Sequence, residues 1–319
     1  MSFDPAPVKP HSSYRHEAFL HSGDGELVAG LVPFIRDGLA AGQPVMVALP
    51  EPHLELVTAA LGADAAEVEL VDMGELGANP ARIIPGWQRF LDRSGGRPAR
   101  GVGEPIWSGR RSAELVECQL HEALLNLAVD PDTPLWLRCP YDTRALEPEV
   151  IVEASRSHPI VVQASTYSGS TAYTGAHHVR GLFSGPLPEP VVPSEGLEFG
   201  AEDLAAVRER AIGHAAAAGL DAERVWELGL AVHEVAANSV KHGGGRGLLR
   251  VWHDDDGVVC EISDAGILDD PLVGRHRPDP ADDGARGLWL ANQLCDLVQV
   301  RSTDAGAVVR ITSWRAGGR

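Results

Sequence analysis

Four prolines crowd into G-P-L-P-E-P-V-V-P-S-E-G, from Gly185 to Gly196, and this stretch limits the fold more than any other. Each proline fixes φ and removes a backbone donor, so the segment can be neither helix interior nor central strand. It predicts a stiff, extended connector. A chain of 319 residues is long enough for a core on each side of it. The expected organisation is a loose tail over residues 1–13, a first domain over 14–184, the connector over 185–196 and a second domain over 197–319.

Hydrophobic residues make up 44% of the chain and charged ones 23%, a globular composition. The formal net charge is -18, from 45 acidic and 27 basic side chains, and no dense basic run interrupts it. Such a field repels phosphate backbones and anionic lipid, so no direct nucleic-acid or membrane role is expected. No stretch approaches the roughly 20 apolar residues of a membrane span, and Met1–His16 lacks the apolar core of a signal peptide. Cys118, Cys139, Cys260 and Cys295 fit no C-x-x-C pattern and read as buried thiols in a reducing compartment. The expected place of the protein is the cytoplasm.

Before the connector, apolar strand-like runs alternate with amphipathic helical stretches. The strands are expected at Glu17–Leu20, Val45–Leu49, Val68–Asp72, Ala99–Glu104, Leu135–Arg138 and Ile160–Gln163. Helices are expected at Gly25–Ala41, Pro52–Leu61, Pro80–Arg93, Arg111–Val129 and Glu147–Ser157. That alternation predicts an α/β domain, a parallel sheet with helices on both faces. After the connector the order changes. Helices at Ala201–Leu220 and from the cap Asp221 to about His242 precede strand pairs at Leu248–His253 and Val258–Ser263. A helix at Gly287–Leu297 and strands at Val298–Ser302 and Val308–Trp314 follow. This predicts an α+β sandwich, an antiparallel-rich sheet with helices on one face.

On the helix ending at His242, Glu234, Asn238 and Lys241 or His242 share one stripe. An amide oxygen there can ligate Mg²⁺, a cation can meet phosphate, and a carboxylate can take a proton from an attacking hydroxyl. The same stripe would also serve as a solvated surface face. Asp264-Ala265-Gly266 ends an apolar strand, where a carboxylate can accept an adenine amino group and the glycine lets the base approach the backbone. Alone, D-x-G is a common turn. Gly284 and Gly287 open the next helix, whose exposed amides and positive dipole end suit phosphate oxygens. The proline- and charge-rich Ile267–Asp283 between them reads as a lid or as a disordered loop.

The three segments E-x-x-x-N-S-V-K-H, D-A-G and G-A-R-G-L, in this order, resemble the N, G1 and G2 boxes of the GHKL ATPase superfamily. Within it they are similar to the short anti-sigma-factor serine kinases of bacterial partner-switching systems. The resemblance spans roughly Leu197–Arg319 and implies a Bergerat-type ATP-binding sandwich that uses ATP and Mg²⁺. It implies Glu234 as catalytic base, Asn238 as Mg²⁺ ligand and Asp264 as adenine contact. Gly266, Gly284, Gly287 and Leu288 would shape the pocket, with Lys241, His242 and Arg286 near phosphate or ribose. Leu268 stands where this family's G1 box often has a second glycine.

At the first strand-to-helix junction, H-S-G-D-G-E-L has no lysine, and Asp24 and Glu26 would repel phosphate, which excludes a working P-loop. R-H-E-A-F-L-H-S-G-D-G-E-L, G-L-A-A-G-Q-P-V, G-E-P-I-W-S-G-R-R and C-P-Y-D resemble the MEDS (DcmR-type) sensory domain, over roughly Ser13–Tyr167. That resemblance implies a RecA-like sheet without a nucleotide site, and a sensory or protein-interaction role. His21, Glu104, Trp107, Cys118, His121 and Cys139 could converge at the carboxyl end of the sheet, a usual place for a small effector. Cys118 and His121 have a spacing that can hold a metal, and equally suit a buried thiol beside a helix-surface histidine.

Together the resemblances imply a sensory domain governing a kinase that phosphorylates a serine or threonine of an antagonist protein, binds a sigma factor, or both. They favour a homodimer. Two other readings stay open: an atypical sensor histidine kinase, for which the short proline-rich segment before Leu197 leaves no room for a dimerising helical hairpin, and a non-catalytic ATP-dependent binding switch.

Overall fold

The computed structural model describes residues 13–253, 256–278 and 286–315, and the chain divides into two compact units. The first takes in the chain up to Gly77 and Gly86–Val179; the second takes in Ala78–Pro85 and the chain from Arg180 onward.

The N-terminal elements are β1 (Arg15–His21), α1 (Asp24–Ala40), β2 (Val45–Leu49), α2 (Glu51–Leu61), β3 (Glu69–Asp72), α3 (Met73–Leu76), α4 (Ile83–Ser94), β4 (Ala99–Gly103), α5 (Ser112–Ala128), β5 (Leu135–Asp142), α6 (Pro148–Ser157), β6 (Ile160–Gln163), β7 (Thr166–Gly169) and α7 (Ala176–Ser184). The sheet order is β3-β2-β4-β5-β1-β6-β7. Its pairings are parallel except β6 with β7, which is antiparallel. The fully buried run V-M-V-A-L of β2 is what a strand covered on both faces requires.

Side-chain alternation along β4 shows how the helices cover both faces. Val102 packs with Leu31 and Ile35 of α1 and Val57 of α2. Its neighbours point the other way, and a Cβ at Gly101 would lie 2.7 Å from the Trp87 ring of α4. The glycines of β4 thus make room for a buried indole. Helix α4 starts later than expected, because Pro80–Arg82 form a 3₁₀ turn capped by Asn79, whose Oδ1 accepts from the Ala81 N–H at 3.0 Å. Strand β7 escaped the sequence pattern because all four of its residues are exposed at the sheet edge.

The C-terminal elements are β8 (Glu195–Phe199), α8 (Leu204–Ala217), α9 (Ala222–His242), β9 (Gly247–His253), β10 (Gly257–Asp264), α10 (Arg286–Leu294), β11 (Leu297–Thr303) and β12 (Gly306–Trp314). Their sheet order is β11-β12-β10-β9-β8, antiparallel at each pairing. Asp221 caps α9, its Oδ1 accepting from the Arg224 N–H at 3.0 Å. Leu228, Val232 and Val235 of α9 and Val207 and Ala211 of α8 pack on Leu249, Val251, Cys260, Ile262 and Val309. Each large apolar side chain so buried contributes roughly 1.5–3 kcal/mol.

The opposite face of this sheet carries charge. Glu261 stands across from Arg250 on β9 and from Arg310 on β12. Arg310 Nε donates to Glu261 Oε2 at 2.9 Å and its Nη2 donates to Pro188 O at 2.9 Å, while Arg250 Nη2 pairs with Glu189 at 2.8 Å. The proline-rich stretch is therefore held against the charged face, and its last residues, Glu195 and Gly196, already belong to β8. Among the described residues no helix is long and apolar enough to cross a membrane.

Candidate nucleotide site

The site forms where α9, the end of β10 and the start of α10 meet. Asn238 is half-buried on α9, and Gly287, the second residue of α10, is buried against it. A Cβ at Gly287 would lie 2.7 Å from Asn238 Nδ2 and 3.4 Å from Glu234 O, so glycine is what leaves the Asn238 amide in its present place beside the start of α10. Asp264 ends β10, and its Oδ1 accepts from the Gly266 N–H at 2.8 Å, which fixes the carboxylate. A Cβ at Gly266 would sit 2.8 Å from that same oxygen. Gly243, just after α9, has an ordinary φ of -96, and space is its reason: a Cβ there would lie 2.3 Å from Asp264 Cγ.

These contacts frame a cleft that opens to solvent. Asn238, Ser239, His242, Gly243, Asp264 and Gly266 bring its polar groups. Val235, Leu268, Val273, Leu288 and Val309 bring the apolar walls a flat heterocycle needs.

The structure brings together Asn238, His242, Asp264, Gly266 and Leu288 as lining residues, with Gly287 supporting Asn238. Glu234 sits half-buried one turn earlier on α9, and Lys241 and Arg286 are exposed at the near ends of α9 and α10; none of the three is part of the lining. Gly284 lies outside the described residues. Ser239, Gly243, Ala307 and Val309 line the cleft and escaped the sequence reading. Gly243 had a signal, the run G-G-G after a helix. Ala307 and Val309 had none, since β12 joins the site only through sheet pairing with β10.

Leu268 turns its side chain into the apolar core while its N–H donates to Ser302 Oγ at 3.0 Å. It forms a wall of the cleft. Of the expected lid, Ile267–Pro278 is described, and Gly274 O accepts from Asn292 Nδ2 of α10 at 2.9 Å. Ile267 is 75% exposed at the cleft.

In the N-terminal unit the structure shows two of the six residues that could converge meeting at one place. His21 and Glu104 do meet at the carboxyl end of the sheet, around His53: His53 Nδ1 is 2.7 Å from Glu104 Oε2, and the His21 and His53 ring centroids are 6.3 Å apart. His21 Nε2 is buried with no partner among the described residues. Burial pushes the Glu104 carboxyl up to about 7, against the opposing hydrogen bond from His53, and that same bond raises His53. Trp107 instead lies under the Arg110 guanidinium, 3.8 Å from its ring centroid. Cys118 is buried on α5, and burial pushes its thiol up to about 12. His121 is buried rather than on the helix surface, at 1% exposure. The donors that do cluster are His16, Glu122, Cys139 and His158.

Residues 15–159 match the family model of the MEDS domain, the methanogen/methylotroph, DcmR sensory domain. Residues 197–313 match that of the histidine kinase-like ATPase domain. No curated protein is similar enough to the chain to register as a relative. The chain thus joins a MEDS sensory domain to a histidine kinase-like ATPase domain, the make-up of a kinase-like signalling protein.

Proposed function

We propose that the C-terminal domain binds ATP with Mg²⁺ and acts as a serine/threonine protein kinase of the anti-sigma-factor type, under control of the N-terminal domain. The observation that carries this reading is the cleft itself, with a fixed carboxylate, Asp264, beside Gly243 and Gly266 and an amide, Asn238, at the mouth of α10. The donor set fits the nucleotide. Asp264 would accept from an adenine amino group, and the apolar walls suit the ring faces. Asn238 offers an amide oxygen of the hard type Mg²⁺ takes.

Bound ATP and Mg²⁺ would supply an activated phosphoryl group. Glu234, one turn from Asn238 on α9, would take the proton of the attacking hydroxyl, and α10 would direct its N-terminal amides toward phosphate. Leu268 fits an apolar wall of the cleft. The protein acceptor is an antagonist carrying a serine or threonine, with a sigma factor as second partner of a homodimer. At the N-terminal domain, His21, His53 and Glu104 would meet a small polar effector at the carboxyl end of the sheet.

The test is transfer of labelled γ-phosphate to proteins co-purified from the native cell, with wild type and Glu234→Ala side by side. Acid-stable label on serine or threonine, lost in the variant, supports the kinase. Acid-labile label on histidine would support a histidine kinase, and no transfer despite ATP binding would support a binding switch.

A further inference from the structure

His16, Glu122, Cys139 and His158 come from four separate elements and meet inside the N-terminal unit. His16 lies on β1 and Cys139 on the adjacent parallel strand β5. The register pairs Ala18 with Cys139, so period-two alternation puts His16 and Cys139 on one face of the sheet. Glu122 comes down from α5, and His158 is the residue that directly follows α6. All four are at most 1% exposed, and their ligand atoms all lie within 4.8 Å of one another.

The hydrogen bonds around this group fix which nitrogens face inward. Asn126 Nδ2 donates to Ser157 O at 2.8 Å, which turns its Oδ1 toward His16 Nδ1 at 3.1 Å. His16 Nδ1 must therefore carry the proton and donate. His158 Nδ1 lies 2.9 Å from Ala154 O, a carbonyl that can only accept, so it too is protonated. Both Nε2 atoms then turn toward the Glu122 carboxylate, at 3.0 Å for His16 and 3.2 Å for His158. Cys139 Sγ stands 3.5 Å from His16 Nε2. Glu122 Oε1 and His158 Nε2 have no hydrogen-bond partner among the described residues. Neutral imidazoles in these tautomers bring lone pair against lone pair, an arrangement that either a shared proton or a metal cation at its centre relieves.

We propose that these four side chains form a structural metal site for a divalent first-row transition ion, Zn²⁺ foremost. Metal–ligand bonds of roughly 2.0–2.3 Å in a tetrahedron set neighbouring donors about 3.3–3.6 Å apart; three of the donor pairs here stand at 3.0, 3.2 and 3.5 Å, and all four donors lie within 4.8 Å. The two imidazoles and the thiolate are borderline-to-soft donors, and with one hard carboxylate they make a set that Zn²⁺ accepts and that Mg²⁺ or Ca²⁺, which take oxygen ligands, do not favour. Binding displaces the Cys139 thiol proton, and thiolate plus carboxylate then cancel the ion's two positive charges in a buried place. Each imidazole already donates its other N–H to a carbonyl oxygen, the outer shell that ligating histidines usually have. The ion would tie β1, β5, α5 and the end of α6 to one point.

The test uses the full chain, nucleotide-free, expressed in medium supplemented with Zn²⁺ or with Co²⁺. The expected result is about one metal ion per chain by elemental analysis, and in the cobalt protein a thiolate-to-metal charge-transfer band with intense tetrahedral visible bands. Cys139→Ser should remove the charge-transfer band. Cys118→Ser, a buried thiol outside the cluster, should leave it unchanged. Asn126→Ala, which keeps all four ligands, should weaken metal binding by roughly 10–100-fold in a chelator titration. Cobalt at the nucleotide site would meet no thiolate, so the band separates the two sites. Wild-type protein that is folded but carries no stoichiometric metal would overturn the proposal and leave a proton-bridged histidine–glutamate cluster. A band that survives Cys139→Ser would overturn it as well.

Discussion

A methyl group on Gly243 would lie 2.3 Å from Cγ of Asp264, so the glycine is what lets the turn after α9 close on the carboxylate at the end of β10. Gly243→Ala should therefore push Asp264 away from Gly266 and cost roughly 1–3 kcal/mol of stability, as overpacking does. ATP affinity should fall with it. Thermal unfolding and nucleotide titration read the two effects, and a variant that matches wild type in both would show that the contact is loose in solution.

Gly287 plays the same part for Asn238, which a Cβ would approach to 2.7 Å at Nδ2. Gly287→Ala should displace the amide and weaken ATP binding more in the presence of Mg²⁺ than in its absence. Equal loss with and without Mg²⁺ would remove Asn238 from the metal's surroundings.

Glu234 lies outside the cleft lining yet on the same stripe as Asn238. Glu234→Ala should lower phosphate transfer by about 10²–10⁴-fold, the usual worth of a general base, with ATP affinity little changed. Parallel loss of binding and transfer would make Glu234 a structural residue.

At the carboxyl end of the N-terminal sheet, burial raises Glu104 from its ordinary 4.5 to about 7, and the bond to Glu104 raises His53. For Glu104 the folded state holds a proton that the unfolded chain releases, so stability falls as pH rises from 4.5 toward 7. The His53 contribution is present below its unfolded value near 6.5 and fades as pH rises through its raised folded value, in the same direction. The excursion at Glu104 corresponds to something on the order of 3 kcal/mol. Glu104→Gln should flatten the pH dependence of urea unfolding between about pH 5 and about pH 8. An unchanged slope would mean that the carboxyl is already ionised at the lower pH.

Much of this architecture could be read from local pattern. The β2 run V-M-V-A-L and the capped helix from Asp221 announce themselves because burial and capping leave a signature in adjacent residues. Strand β7 does not, since its exposed T-Y-S-G has no face to mark. The cleft was legible where its residues share a helix or a turn, as Asn238 with His242 and Asp264 with Gly266 do. Val309 reaches the cleft only through the pairing of β12 with β10, and no spacing encodes that. The cluster of His16, Glu122, Cys139 and His158 was hidden for the same reason: its members are scattered along the chain and meet only when β1 pairs with β5 and two helices pack on them. Cys118 and His121, three apart on one helix, looked more like a pair than these four did.

The most direct measurement of the central claim is calorimetric titration of ATP and Mg²⁺ into the full chain and into Asp264→Asn. Wild type should bind one nucleotide per chain, and the variant should lose roughly 1.5–3 kcal/mol, the worth of a hydrogen bond to a charged group. Equal affinity in the two proteins, or no binding by wild type, would contradict a nucleotide held at Asp264.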